Sequence, residues 1–326
     1  PQRIVSVEAV ESVPHRWRLH LKPYLHPSDS SSNHVVHHAY VFTQIWSPHS
    51  TKVQLLRPHH HQGQIKLNGE LVQSDQLELQ AGWNQFLCEF SGTSHLQAMV
   101  FALSGPAELK FACRGEKGGS PWALVGPFEL TEHLQRIAAG DTDSVVVINM
   151  PRSPAATAQR GVDIWTTGLL DAETIDSPLF QEIQPDHLPA DSFLQSYTDR
   201  ALAVKPQLEN PSALLSANHE WATVYPCASG DVRLLLDFGR EVVGFHRFEV
   251  EGEAGTVLDW HNFEFIQPDG RYNFAEGMNN SFRYTMKEGA QLYQSYVRRG
   301  FQYSYLTIRN LKKPLRIRKV EVLFNT

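Results

Sequence analysis

Apolar and polar residues alternate along most of this 326-residue chain in the rhythm of β-structure. In Tyr40–Trp46 the alternation places Tyr40, Phe42 and Trp46 on one side, and the same period recurs at Phe86, Cys88 and Phe90 and at Leu109, Phe111 and Cys113. Successive strand side chains point to opposite faces, so a period of two marks a strand with one buried face. Met99–Leu103 is apolar throughout, as a strand covered on both faces would be. Turn signals stand between these runs at Pro48-His49-Ser50, Asn68-Gly69 and Ser104-Gly105-Pro106. Asn68-Gly69 suits a type I′ hairpin, because both central residues must accept positive φ. Short strands at this spacing predict a first β-sandwich over residues 1–115.

Residues 116–205 read differently, with Gly115–Ser120 followed by Pro121, Pro127, Pro151, Pro154, Pro178, Pro185 and Pro189. Two short helices are predicted here. One runs from near Thr131 to before Gly140; the other runs from Asp191 to about Leu202, with Phe193, Leu194 and Tyr197 at helical spacing. A flexible linker would not carry Trp122, Phe128, Trp165, Phe180 and Phe193, so the segment reads as a connector packed on its neighbours. Strand rhythm returns over residues 206–326. Val232–Phe238 and Phe245–Val250 flank a bend at Gly239–Gly244, Thr256–Trp260 follows, and Pro268-Asp269-Gly270 marks a turn. Phe301–Arg309 sets Phe301, Tyr303, Tyr305 and Thr307 on one face and Leu306 and Ile308 on the other, and Val320, Val322 and Phe324 close the chain in the same rhythm. The predicted fold is mainly all-β: two β-sandwich or jelly-roll domains joined by an irregular, partly helical connector.

A net charge of -6 gives no basic footprint for nucleic acid. The longest apolar run, Gln97–Leu103, is too short for a membrane helix, and Pro1–Val10 lacks the charged-then-apolar order of a leader. Three cysteines, an odd count with no CxxC spacing, argue against a disulfide scaffold and a zinc site. Cys88 and Cys113 read as buried thiols, which favours a reducing, cytoplasmic compartment over secretion. Serine-hydrolase elbows, phosphate loops, HExxH and dinucleotide fingerprints are absent from the sequence. Histidines gather at His34, His37, His38 and His59-His60-His61. Imidazole is a common metal ligand, but consecutive residues on a strand point to opposite faces and cannot all reach one ion. These histidines read as strand ends and loop tips, and no metal or cofactor is expected. Asp141-Thr142-Asp143-Ser144 spaces oxygens like a calcium loop but lacks the later Gly and Glu, and reads as a solvated turn. Trp260, Tyr272, Tyr303 and Tyr305 are candidate rings for stacking on an apolar sugar face, or else core and sheet-face residues.

The segment Asp237-Phe238-Gly239-Arg240-Glu241-Val242-Val243-Gly244 resembles a strand–turn of the bacterial α-L-rhamnosidases, glycoside hydrolase family 78. The order that follows is also similar: Phe248–Gly252, Ala254–Val257, Glu264, Asp269-Gly270 and Phe282–Thr285. Gly300-Phe301-Gln302-Tyr303 resembles a family strand in which Arg is usual at the third position. Ile65–Gly69, Gly82-Trp83-Asn84 and Trp122–Phe128 resemble the accessory jelly-roll found ahead of such enzymes. The resemblance implies an (α/α)₆ barrel elsewhere that holds the general acid and base and works with inversion. Such a barrel needs about a dozen helices of ~10–14 residues each, which this chain has no room for after its last sandwich. No family catalytic residue can therefore be carried onto it, and the chain alone is expected to be inactive. Its expected partners are that barrel and rhamnose-containing glycans, with neither nucleic acid nor membrane. Hydroxyl recognition calls for planar hydrogen-bonding groups beside a ring, so the candidate substrate-binding residues are Trp260, Glu264, Arg271, Asn273, Asn279 and Arg283, with Glu276 and Asn280 nearby. Three rivals stand beside this reading. One is a stand-alone carbohydrate-binding module. Another is a structural or interaction protein. The third is a small complete hydrolase with two opposed acids in a cleft.

Overall fold

A computed structural model describes residues 1–25, 34–57, 63–94, 98–129, 146–148, 157–188, 197–215, 219–268, 270–272 and 280–324. They divide into two compact units, residues 14–190 and residues 1–13 with 191–326. The first strand, β1 (Arg3–Glu11), belongs to the second of these units.

The unit of residues 14–190 contains two sheets. Its strands are β2 (His15–His20), β3 (His34–Ser47), β4 (Thr51–Leu56), β5 (Ile65–Leu67), β6 (Glu70–Leu71), β7 (Gln76–Leu79), β8 (Gly82–Ser94), β9 (Ala98–Ser104), β10 (Lys110–Phe111), β11 (Ala123–Val125), β12 (Val146–Ile148) and β13 (Phe180–Glu182). One sheet runs β13-β11-β3-β8-β5-β6, with β10 and β12 also on β3; the other runs β2-β9-β4-β7. Between them lies a core of Leu19, Val41, Val53, Leu77, Phe86, Cys88, Phe101 and Trp122, all almost fully buried. The predicted hairpin is present: Asn68 and Gly69 take φ of 50° and 87° between β5 and β6. The Asn68 side chain locks the hairpin to β8, donating to Asn84 Oδ1 at 2.9 Å and accepting from the Gln85 N–H at 2.8 Å.

The larger sheet is apolar on its other face too. Tyr40, Phe42, Leu87, Ala123, Val125 and Phe128 are buried there against Ile164, Leu170 and Phe180. Residues 116–190, expected to be a connector, thus supply β11 and β13 to this sheet and a helix, Ala158–Thr167, to its cover. A Cβ at Gly161 would meet His38 Cε1 at 2.8 Å and Phe128 Cγ at 3.0 Å, so this helix comes close only because residue 161 has no side chain. It ends where Gly168, at φ 66°, donates its N–H to the Ile164 carbonyl at 2.8 Å, a common helix stop because glycine carries no Cβ penalty there. The helix predicted from Thr131 lies outside the described residues, as does 191–196 of the second one. That second helix does not extend to Leu202. Arg200–Ala201 is a strand, β14, because β1 offers it backbone partners at Glu11 and Val10.

In the other unit the strands are β14, β15 (Leu208–Glu209), β16 (Ala222–Val224), β17 (Asp231–Gly252), β18 (Val257–Phe263), β19 (Ser281–Thr285), β20 (Gly289–Gln294), β21 (Arg299–Arg309) and β22 (Leu315–Leu323). One long strand serves two layers. The first part of β17 pairs with β1 and β21, and its last part pairs with β22 and β20. The core between holds Leu234, Leu236, Phe248, Val250, Leu258, Trp260, Phe301, Leu306 and Ile317. At the bend the pairing with β21 jumps from Asp237 to Val242. Asp237 makes this turn: its Oδ1 accepts the Gly239 N–H at 2.7 Å while Gly239 takes φ of 76°, open mainly to glycine. The jump also corrects the reading of β21. Phe301 joins Leu306 and Ile308 in the core, while Tyr303 stacks on Phe263.

Candidate functional site

Trp260 lies on β18 with no exposed surface. Phe248 stacks on it at 5.3 Å and Phe282 at 5.9 Å between ring centroids, with the His246 ring at 5.0 Å. A ring enclosed in this way offers no free face to a sugar. The sequence favoured a core or sheet-face place for it over a stacking ring, and the sandwich interior took it.

Arg283 on β19 stands across from Asp259 on β18. Its Nε donates to Asp259 Oδ1 at 2.6 Å and its second nitrogen to Oδ2 at 2.7 Å. The same Oδ2 accepts Arg309 Nε at 2.6 Å. Arg309 goes on to Asp199 Oδ2 at 2.6 Å and Asp231 Oδ2 at 3.1 Å. Side-chain exposure is 0% for Asp199, 1% for Asp259 and 6% for Arg309, against 34% for Arg283. Planar guanidinium forks match carboxylates two bonds at a time, so the Nε and one terminal nitrogen of Arg283 are committed to this network. Burial pushes the Asp259 carboxyl up, but the bonds from Arg283 and Arg309 outweigh it and hold the group below its usual range. At Asp199 burial prevails over the Arg309 charge, and the carboxyl is raised.

Glu264 and Arg271 are half-buried at the two ends of the turn that follows β18. The Arg271 carbonyl accepts the Gln267 N–H at 2.7 Å, and Ile266 bridges to Tyr272. Asn273, Glu276 and Asn279 lie outside the described residues. Tyr272, Tyr303 and Tyr305 do cluster, around Phe263: centroids lie 4.6, 5.7 and 5.2 Å from it. Arg233, bonded to Glu8 at 2.7 Å, sits 4.5 Å over the Tyr305 ring. This is a packed, ion-paired sheet face. Among the described candidates, Arg283 is bound by Asp259, while Trp260 turns to the opposite side of the sheet.

The buried cluster around His246 went unread in the sequence. His246 is buried against Phe301, whose ring lies 4.6 Å away, and its Nε2 meets Asn262 Oδ1 at 2.9 Å. Asn262 Oδ1 also accepts Ser304 Oγ at 2.5 Å. Burial lowers the His246 pKa to about 3, and the same cause lowers His261 to about 3. Gln302, where the resembling strand has Arg, donates to Asp237 Oδ1 at 3.3 Å, and Arg3 Nε reaches Asp237 Oδ2 at 2.8 Å. The aspartate that turns β17 therefore has its cation from β1. His37 and His38 point to opposite sides of β3, His37 onto Phe90 and His38 onto Tyr40 and Phe128; His59–His61 lie outside the described residues.

Two units built mainly of antiparallel sheet, the second with an ion-paired sheet face, define a β-sandwich protein. The family follows from comparison. The profile of the α-L-rhamnosidase domain D2 matches residues 17–160, and that of the bacterial α-L-rhamnosidase concanavalin-like domain matches residues 228–323. The chain belongs to the accessory β-sandwich region of the bacterial α-L-rhamnosidases, glycoside hydrolase family 78. It is similar to the family 78 rhamnosidase of Bacillus sp. GL1 at 23% identity and a TM-score of 0.66, over 99% of this chain and 34% of that one. The α-L-rhamnosidase of Dictyoglomus thermophilum aligns at 12% identity and a TM-score of 0.27, over 95% of this chain and 35% of that one. The chain therefore spans about a third of the length of these solved relatives. No curated protein matches it in sequence.

Proposed function

We propose that this region supports the (α/α)₆ barrel of an α-L-rhamnosidase, completes the rim of its sugar pocket with sandwich loops, and binds rhamnose-containing glycans there. The observation that carries the proposal is the succession of a D2 match and a concanavalin-like match within one chain. Loops on a rigid sandwich suit such a rim because the framework fixes their positions. The turn at Glu264–Arg271 is the rim element favoured here, since Trp260 is enclosed and Arg283 is held by Asp259.

The test has two arms. Purified chain incubated with p-nitrophenyl α-L-rhamnoside is expected to release no nitrophenol; sustained turnover would overturn the accessory role. Calorimetry with methyl α-L-rhamnoside is expected to give saturable, millimolar binding that weakens in Arg271→Ala. Flat heats at that concentration would remove glycan binding and leave the support role to stand alone.

A further inference from the structure

β20 lies at an edge of its sheet. It pairs with β17 from Gly289 opposite Gly252 to Gln294 opposite Arg247, without a shift in register. The Ser295 N–H continues the ladder, donating to the His246 carbonyl at 2.7 Å. Along an antiparallel strand, backbone groups turn alternately toward and away from a given neighbour. With Ser295 turned toward β17, the N–H and C=O groups of Ala290, Leu292 and Gln294 turn the other way. Among the described residues no strand pairs with β20 on that side.

Open edges are ordinarily blunted by charge, proline, a bulge or a cover. In this unit β14 carries Arg200, β15 Glu209 and β19 Arg283. Gly289–Gln294 has neither a charged residue nor a proline, and its ladder with β17 has no bulge. Leu292 is 58% exposed, and the turn beyond the strand shows Tyr296 at 95% and Val297 at 56%. That turn is firmly held, because the buried Arg299 donates to Ser295 Oγ at 2.9 Å and to the Val297 carbonyl at 3.1 Å. The edge is therefore pre-ordered and apolar before anything meets it.

We propose that β20 pairs antiparallel with β20 of a second copy of this chain, about a two-fold axis at Leu292, so that two sheets become one. In that register Leu292 faces its own counterpart and Ala290 faces Gln294, so the strand is complementary to itself. The next strand brings no stranded charge to the seam. Beside Leu292, Glu249 is matched by Arg318 at 2.7 Å; beside Ala290, Glu251 is matched by Arg316 at 2.5 Å; beside Gln294, Arg247 is matched by Glu321 at 3.5 Å. The pairing is separate from the Glu264–Arg271 turn and does not depend on the rim role proposed above.

Sedimentation equilibrium of the 326-residue chain over a range of concentrations tests this. The mass is expected to rise from one chain to two with a dissociation constant of about 100 µM, since a single strand edge makes an interface at the small, weak end of the scale. Leu292→Lys sets like charges opposite each other and should weaken association at least tenfold, to about 1 mM or beyond. Because Leu292 is exposed, the variant should keep the circular dichroism spectrum and melting temperature of the dilute parent. Hydrogen exchange at the amides of Ala290, Leu292 and Gln294 should slow as the parent is concentrated. The mass of one chain at every concentration, association undiminished in Leu292→Lys, or exchange in β20 that ignores concentration would each overturn the assignment. No sugar enters these measurements, so their failure is distinct from a failure of rhamnoside binding.

Discussion

The two units bury their sheets in different ways. In residues 14–190 the larger sheet is apolar on both faces, with a second cluster of Tyr40, Phe42, Phe128 and Ile164 behind it. In the unit of residues 1–13 and 191–326, the sheet face away from the core is held by Arg309 among Asp199, Asp231 and Asp259, and by Arg233 with Glu8. An apolar face is stabilised in proportion to area, whatever its partners. A buried ion network holds only while every member has its partner, since one removed leaves another charge stranded. The contrast teaches that one unit should lose stability gradually with each truncation, and the other abruptly with a single charge.

The largest effects come from the interior and from that network. Arg309→Met strands Asp199 and leaves Asp259 to Arg283 alone, and should cost about 3–5 kcal/mol. Hydrogen exchange by mass spectrometry should localise the loss to peptides of residues 191–326, and a cost below about 1 kcal/mol would mean the pairs are dispensable. Trp122→Ala and Trp260→Ala, each removing a fully buried ring, should cost about 3–5 kcal/mol apiece in urea melts. If Trp260→Ala instead spared stability and abolished rhamnoside binding, its placement in the core would be wrong.

The effect of pH comes next. His246 and His261 have folded pKa values lowered to about 3, mainly by burial, against about 6.5 in an unfolded chain. Protons then bind the unfolded state first. Stability is complete above pH ~6.5 and falls toward pH ~3, by about 1.4 kcal/mol per pH unit for each histidine. Burial lowers His38 as well, so the other unit also weakens, with a shallower slope. In His246→Gln the slope of the second unit should drop by about half; an unchanged slope would remove His246 from the account. The smallest effect belongs to Lys52 and Glu78, an exposed pair at 2.6 Å in the first unit. Lys52→Ala should leave the melting temperature indistinguishable from that of the parent, because solvent and salt screen such a pair.

Much was legible along the chain. Period-two patterns marked β3, β8 and β21, and Asn68-Gly69 marked its hairpin. The Gly239–Gly244 bend was read as a break between strands, and it is a turn within one strand, made by Asp237 on the Gly239 N–H. The helix at Ala158–Thr167 was missed, though Gly168 stood as its stop signal, because Gly161 and a pair of threonines depress local helix propensity.

Local sequence decided what is expressed through neighbours in the chain: strand period, turn residues and the order of motifs that marks the rhamnosidase family. Only the tertiary structure decided which face each strand turned inward. Trp260 and Tyr305 have the same rhythm, yet the first went to the core and the second to the ion-paired face. That choice rests on register. At a bulge such as Asp237–Val242, one break in pairing reverses every side chain beyond it. The meeting of Asp199, Asp259 and Arg309, far apart in sequence, likewise exists only once the sheet has closed.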